Sequence, residues 1–233
     1  IEDSGIGVLA SLMQDDEDPV VGRMIGSYRI EREVGRGGMG TVYEAVRADG
    51  AFRMRVAIKL VKRGMDTDFI LKRFRNERQI LATLEHPFIT RLIDGGTTDD
   101  GRPYFVMDYI DGLPLYRYCD KNRLTITERL ELFGRICEAV EYAHQKRVIH
   151  RDLKPSNVIL TSTGPTLIDF GIAHGEGDNH LTQTGSITGT PGYVAPELLA
   201  TAKPSLEHLQ NGDWFAWAAT LLVLCVAVTL SAC

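Results

Sequence analysis

The chain has 233 residues, 44% of them hydrophobic and 24% charged, which is enough for one large globular domain or two lobes. Its formal net charge of −5 argues against a nucleic-acid-binding protein, because such proteins usually carry a basic surface. The four cysteines have neither metal-ligand spacing nor a disulfide pattern, which indicates a reduced, cytoplasmic setting. The chain starts at Ile1 rather than Met, so we expect it to be a piece of a longer protein, without a signal peptide.

The first 27 residues show weak patterning and an acidic run at residues 15–18. We interpret residues 1–27 as a solvated linker. From Tyr28 to Val34 apolar and polar residues alternate, and this alternation predicts a first strand.

A glycine-rich segment follows that strand and fits the pattern G-x-G-x-x-G. The pattern alone also fits a dinucleotide-binding fold, but that fold needs a helix directly after the glycines. Here β-branched and aromatic residues follow, so we expect a hairpin. Glycines let the backbone approach phosphate oxygens closely, and a plain hairpin turn would need fewer of them. The segment consists of Gly35, Arg36, Gly37, Gly38, Met39 and Gly40.

Lys59 lies inside the apolar strand predicted over residues 56–61 and needs a counter-charge. In an isolated strand such a lysine could instead reach solvent at an edge. The helix predicted over residues 68–84 carries Glu77 on its apolar stripe, where a carboxylate also needs a partner. We therefore expect Lys59 and Glu77 to pair.

Two further elements lead to the middle of the chain. Residues 103–107 predict a strand, and Asp108 to Gly112 leave it in a turn. Thr125 and Glu128 fit a capping box, and an amphipathic helix is expected from there to about Gln145. Its predicted buried stripe contains Leu130, Phe133, Cys137, Val140 and His144.

The sequence His-Arg-Asp-Leu-Lys-Pro-Ser-Asn at residues 150–157 forms a polar loop between two apolar segments. A buried turn with this many polar groups is costly unless each has a task. Asp152 can accept a proton from a hydroxyl, and Lys154 can steady a phosphate. Asn157 can offer an amide oxygen to a divalent metal, and Asp169, twelve residues later, can offer a carboxylate.

Together these motifs resemble the eukaryotic-type serine/threonine kinases of bacteria, from about Ile25 to Glu197. The resemblance implies an α+β fold with two lobes. These are a β-rich N-lobe over residues 28–111 and a mainly helical C-lobe over residues 112–233, truncated in its central helix. It also implies transfer of the γ-phosphoryl group of Mg-ATP to Ser or Thr hydroxyls of protein substrates, the kinase itself included.

The resemblance assigns roles to individual residues. Asp152, Lys154, Lys59 and Asn157 would be catalytic, and Asn157 and Asp169 would hold Mg²⁺. ATP would contact residues 35–40 together with a set formed by Val42, Ala57, Lys59, Glu77, Met107, Asp108, Ile110, Ile159 and Asp169. In that set Met107 would be the gatekeeper, and the main chain of Asp108 and Ile110 would bind adenine.

The resemblance also implies regulation. Thr182 and Thr184 lie in a polar segment that we expect to be mobile, and Arg151 would grip a phosphate placed there. Thr190 would pack by the catalytic loop, and Glu197 would lack its usual partner. The alternative function is a non-catalytic scaffold with a kinase fold, or the chain is an inactive fragment. A scaffold of this kind usually lacks part of the catalytic set.

The tail from Trp214 to Cys233 carries no charge and is long enough for a membrane span. We favour a buried helix instead, because Asn211, Gly212 and Asp213 predict a turn and an N-cap, and no basic residue follows the run. Asp213 would hydrogen-bond to the backbone near His150 and Arg151. The sequence does not reveal the oligomeric state.

Overall fold

The computed structural model describes residues 20–37, 40–62, 78–79, 81–170, 190, 192–200 and 204–231. Its first half is a six-stranded antiparallel sheet with strand order β1-β2-β3-β4-β6-β5. The strands are β1 (Met24–Ile25), β2 (Tyr28–Gly37), β3 (Gly40–Arg47), β4 (Arg55–Val61), β5 (Leu92–Thr97) and β6 (Pro103–Asp108). Short connections join β1 to β2, β2 to β3, β3 to β4 and β5 to β6, and they explain the antiparallel pairing of these strands.

The glycine-rich segment joins β2 to β3, so the predicted hairpin is confirmed, while Gly38 and Met39 lie outside the described residues. Gly40 has a left-handed φ of 156°, and a Cβ there would lie 2.2 Å from the carbonyl oxygen of Leu60. A glycine is therefore required at this position so that β3 can approach β4.

The sheet begins earlier than the sequence indicated. β1 pairs with β2, and Val20 and Ile25 are buried in the same apolar cluster as Ile30 and Val56. Residues 20–27, which we assigned to a linker, therefore extend the sheet and its core.

The second half is mainly helical. It contains α1 (Leu115–Lys121), α2 (Ile126–Gln145), α3 (Pro196–Ala200) and α4 (Leu206–Ser231), and a small sheet of β7 (Leu113–Pro114), β8 (Val158–Thr161) and β9 (Gly164–Leu167). A 3₁₀ turn, Pro155–Asn157, precedes β8. Since strands dominate the first half and helices the second, the predicted α+β fold is confirmed.

The capping box of α2 is confirmed by reciprocal bonds between Thr125 and Glu128. The expected buried stripe was partly wrong: Leu130 is 45% exposed, whereas Ile136 and Ala143 are buried. The buried face of α2 is thus rotated from the predicted stripe, because it follows the neighbours that α2 packs against.

Helix α4 begins at Leu206, seven residues before the predicted start at Asp213. Its first turn is capped by Ser205, whose hydroxyl accepts a bond from the His208 N–H at 3.3 Å, while the Ser205 N–H donates to His208 Nδ1 at 3.2 Å. Gly212 lies inside the helix, where a Cβ would be 2.5 Å from the Leu198 side chain of α3. The glycine therefore allows close helix packing rather than marking a turn.

Trp217 anchors α4 in the core. Its side chain is fully buried and stacks on Phe133 of α2, with ring centroids 4.9 Å apart. The prediction of a buried helix is confirmed for this part of α4. Within the described ranges, no helix combines the length and apolar character that a membrane crossing requires.

Candidate active site

Asp213 supports the polar loop from inside the protein. Its carboxylate, which is 2% exposed, accepts hydrogen bonds from the backbone N–H groups of His150 and Arg151, both at 2.7 Å. It also contacts His144 Nε2 at 2.9 Å, so His144 is a buried partner of Asp213. Arg151 has a left-handed φ of 67°, which costs energy for a residue with a side chain. The predicted contact of Asp213 is confirmed, and it fixes this unfavourable backbone.

On the outer side of the same loop, Asp152, Lys154 and Thr190 form a closed ring of hydrogen bonds. Lys154 Nζ lies 2.7 Å from Asp152 Oδ2 and donates to Thr190 Oγ1 at 2.8 Å. Thr190 Oγ1 donates to Asp152 Oδ1 at 2.7 Å. Both carboxylate oxygens of Asp152 thus have a polar neighbour.

The pKa of Asp152 reflects this ring. Burial raises the pKa, but hydrogen bonds from Lys154 and Thr190 outweigh burial, and the pKa falls below its usual range. Asp152 is therefore a carboxylate at neutral pH and can accept a hydrogen bond from a hydroxyl.

Asn157 connects Asp152 to the segment that carries Asp169. Its side-chain Nδ2 donates to the Asp152 carbonyl at 2.7 Å and to Asp152 Oδ2 at 3.2 Å. Its backbone carbonyl accepts the Ile168 N–H at 2.9 Å. Because Nδ2 is engaged with Asp152, the other side-chain atom, Oδ1, is the oxygen that can serve a metal.

Lys59 contacts the Asp169 carboxylate, which lies 110 residues later in the chain. Lys59 is 8% exposed, so its ammonium needs this counter-charge. The expected partner, Glu77, lies outside the described residues. In the part of the chain that the structure describes, Lys59 thus pairs with the predicted metal ligand.

His150 joins the polar loop to the Asp169 segment. Its Nε2 lies 3.0 Å from the Ile168 carbonyl, its Nδ1 lies 3.4 Å from the Asp152 N–H, and its ring packs 4.7 Å from that of Phe170. Burial lowers the pKa of His150, which fits a neutral ring that donates from Nε2 and accepts at Nδ1.

One face of the large sheet carries the residues predicted at the nucleotide. Val42 pairs directly with Lys59, and Ala57 pairs with Met107, so these four side chains share a face. The Asp108 N–H at the end of β6 donates to the Arg91 carbonyl at 3.1 Å.

The turn after β6 passes close over β8 near Ile159. A Cβ on Gly112 would lie 2.2 Å from the Leu160 carbonyl oxygen and 2.8 Å from Ile159 Cγ2. Only a glycine fits there, and it allows the backbone at residue 112 to lie close to Ile159.

Sequence reasoning gave no role to Glu44, although it lies in β3 between the buried residues Tyr43 and Ala45. A carboxylate at such a position needs cations. Arg32 and Arg55 on the two neighbouring strands are the residues from which its role could have been predicted.

The predicted regulatory residues Thr182 and Thr184 lie outside the described residues.

An antiparallel sheet followed by a helical half, with a polar loop fixed by a buried carboxylate, is the arrangement expected of a two-lobed kinase. Residues 28–232 match the family described as protein kinase domain, and the chain belongs to this family. The predicted resemblance to bacterial serine/threonine kinases and the two-lobed fold are thereby confirmed.

Relatives with this similarity are bacterial. The chain is 39% identical over 173 residues to the probable serine/threonine-protein kinase PknB of Lactococcus lactis, covering 73% of this chain and 27% of that protein. It is 38% identical over 179 residues to the serine/threonine-protein kinase PknA of Mycobacterium tuberculosis, covering 74% of this chain and 41% of that protein. The chain thus spans well under half the length of these curated relatives.

Among solved structures, the chain is similar to the crystal structure of the M. tuberculosis PknI kinase domain. The two share 32% sequence identity with a TM-score of 0.67, over 87% of this chain and 74% of that chain.

Proposed function

We propose that the chain is the catalytic part of a serine/threonine protein kinase, which transfers the γ-phosphoryl group of Mg-ATP to Ser or Thr hydroxyls, its own included. One observation carries this proposal: Asp152 Oδ1 already accepts a hydrogen bond from a threonine hydroxyl, that of Thr190, at 2.7 Å. Lys154 contacts both partners of that bond. A substrate hydroxyl in place of Thr190 would find its acceptor and a neighbouring cation already oriented.

Asp152 orients the attacking hydroxyl and receives its proton. Its lowered pKa makes it a reliable acceptor and a weak base, which suits a transfer in which the hydroxyl loses its proton late. Lys154 offsets negative charge on the transferring group.

The oxygen donors fit a hard divalent cation. Asn157 Oδ1 and the Asp169 carboxylate are of the type that Mg²⁺ prefers, and Mg²⁺ normally completes its shell with phosphate oxygens and water. When bound, Mg-ATP would supply the phosphoryl group and the metal charge that neutralises it. Lys59, which already faces Asp169, would hold the α- and β-phosphates and Glu77 would fix it.

Glycines in the β2–β3 hairpin support phosphate binding. Among the described residues, a Cβ on Gly35 or Gly37 would meet nothing within 4 Å, and neither residue has a left-handed φ. The fold therefore gives no reason for glycine at these two positions, in contrast to Gly40. Close approach of a ligand to the backbone would explain glycine at both positions. In this proposal Arg36, Gly38 and Met39 belong to the same loop.

The base would lie against the shared face of the sheet. Val42, Ala57 and Ile159 would sandwich the adenine, and Met107 would close the inner end. The carbonyl of Asp108 and the N–H of Ile110 would bind the edge of the base.

Regulation and location complete the proposal. A phosphate on Thr182 or Thr184 would be bound by Arg151, and mass spectrometry of autophosphorylated protein would locate it. We propose the cytoplasm as the location, because ATP is available there and Cys119, Cys137 and Cys225 are free thiols.

Incorporation of ³²P from γ-labelled ATP into the chain and into a general Ser/Thr substrate tests this function. We expect Mg²⁺-dependent labelling that is lost on chelation and in Lys59→Met, while Lys59→Met still unfolds in a cooperative thermal transition. Lys62→Met, at an exposed lysine directly after the same strand, is the matched control. Equal labelling of wild type and Lys59→Met would refute the proposal.

A further inference from the structure

A charged network links three strands of the sheet to the turn after β6. We call it the Glu44 network, and it consists of Arg32, Glu44, Arg55, Tyr109 and Asp111. At its centre the Glu44 carboxylate gives one oxygen to each arginine. Arg32 Nη2 lies 2.6 Å from Oε2, and Arg55 Nε lies 2.9 Å from Oε1.

The same two arginines hold Tyr109 from two directions. Arg32 Nη2 donates to the Tyr109 hydroxyl at 2.9 Å. The Arg55 guanidinium lies over the Tyr109 ring, 4.3 Å from its centroid, and its Nη1 reaches the Asp111 carboxylate at 3.4 Å. Tyr109 is therefore fixed at both its hydroxyl and its ring.

The strand register places this network beside the proposed nucleotide face. Glu44 pairs directly with Ala57 on one side and with Arg32 on the other, so all three share the face that carries Val42. Tyr109 lies between Asp108 and Ile110, the two residues whose main chain would bind adenine.

Stability alone does not explain the network. The side chains of Arg32 and Arg55 are 58% and 51% exposed, and exposed ion pairs contribute little to folding. Glu44 is different, since its side chain is only 12% exposed. Burial raises the pKa of Glu44, but the bonds from Arg55 and Arg32 outweigh it and keep the group ionised. A fixed carboxylate thus orients two arginines that would otherwise be mobile.

We propose that the Glu44 network is a positioning device that holds the adenine-binding turn against the strand that carries the glycine-rich loop. Arg32, Arg55 and Tyr109 then set the affinity for the adenine end of the nucleotide. This inference rests on the proposed function. The physical reason is preorganisation: a turn already held in its binding conformation loses less entropy when the base binds.

Calorimetric binding of adenosine and of Mg-ADP to the full chain tests this inference. Tyr109→Phe keeps the ring under Arg55 and removes only the hydroxyl that Arg32 binds. We expect its Kd for both ligands to rise by the same factor, about three- to tenfold, because the change acts at the base. We expect kcat at saturating ATP to stay within about twofold, because the phosphate end is untouched.

Two further variants sharpen the test. Arg32→Gln should weaken binding to a similar extent, and the double variant with Tyr109→Phe should be no weaker than the worse single one, because both remove the same bond. Arg29→Gln is the matched control, since Arg29 lies on the same strand and pairs only with the exposed Glu31 in the described contacts.

The outcomes separate the two proposals. If wild type binds both ligands and Tyr109→Phe and Arg32→Gln bind them equally well, the inference is wrong and the proposed function stands. Loss of Mg-ADP affinity without loss of adenosine affinity would also overturn the inference. If wild type binds neither adenosine nor Mg-ADP, the proposed function fails together with the inference.

Discussion

The inner and outer sides of the polar loop each depend on one aspartate, and the two aspartates differ in what surrounds them. Asp213 is almost fully buried and accepts two backbone N–H groups. The Asp152 side chain is 30% exposed, and in the described part of the chain its carboxylate is contacted by side-chain atoms of Lys154, Thr190 and Asn157.

This difference assigns a structural role to Asp213 and a chemical role to Asp152. Backbone donors cannot move away or be replaced by a ligand, so Asp213 can only hold the loop. Side-chain donors can exchange for a substrate hydroxyl, so Asp152 can take part in a reaction. Variants of the two aspartates should therefore affect different properties of the protein.

Asp152→Asn should have the largest effect on activity. The amide keeps the shape of the side chain but cannot accept the hydroxyl proton, and loss of a general base typically lowers the rate by about 10²- to 10⁴-fold. The free energy of unfolding should change by less than about 1 kcal/mol, because the group is partly exposed. Steady-state kinetics and urea denaturation measure the two effects. Nearly unchanged kcat in this variant would contradict the assigned role.

Asp213→Ala should mainly lower the stability of the protein. It leaves two buried N–H groups without an acceptor, at about 1–3 kcal/mol each, so unfolding should become easier by about 3 kcal/mol or more. Asp213→Asn retains one acceptor oxygen and should lose less. Chemical denaturation gives both values. A loss below about 1 kcal/mol in Asp213→Ala would mean that water replaces the carboxylate and that the loop is not supported from inside.

Local patterns predicted much of the fold and the site. The β2–β3 hairpin followed from β-branched residues after the glycines, and the capping box from Thr125 and Glu128. Asp152, Lys154, Asn157 and Asp169 are close in sequence, so their spacing already placed them in one loop and the segment after it.

The remaining features depend on contacts between distant parts of the chain. The contact of Lys59 with Asp169 spans 110 residues, and no local pattern encodes it. The start of α4 was misplaced because Gly212 and Asp213 look like a turn and an N-cap. Leu198 of α3 makes that glycine favourable inside a helix, and Asp213 serves the polar loop instead.

Thr190→Val should shift the pH dependence of the reaction. The Thr190 hydroxyl is one of the groups that lower the pKa of Asp152 against the effect of burial, so its removal should raise that pKa. Because only the carboxylate form accepts the hydroxyl, activity is lost as pH falls through the pKa. The acidic limb of the kcat/KM profile should therefore move to higher pH. Thr161→Val, at the end of β8, is the control. An acidic limb that does not move in Thr190→Val would show that this hydroxyl does not tune Asp152.

Thr125→Ala should have the smallest effect and calibrates the comparison between buried and exposed acceptors. The Thr125 hydroxyl accepts the Glu128 N–H at 3.3 Å at the exposed start of α2, so its loss removes one acceptor for a backbone donor, as Asp213→Ala removes two. Here water can reach the donor, and loss of such a cap costs about 1 kcal/mol. Thr127→Ala, in the same turn without a capping bond in the described contacts, should cost less. Urea denaturation of the two variants gives the difference, and kcat should be unchanged in both. If Thr125→Ala destabilised the protein as much as Asp213→Ala, burial would not be what distinguishes the two acceptors, and the assignment of Asp213 as an internal support would lose its physical basis.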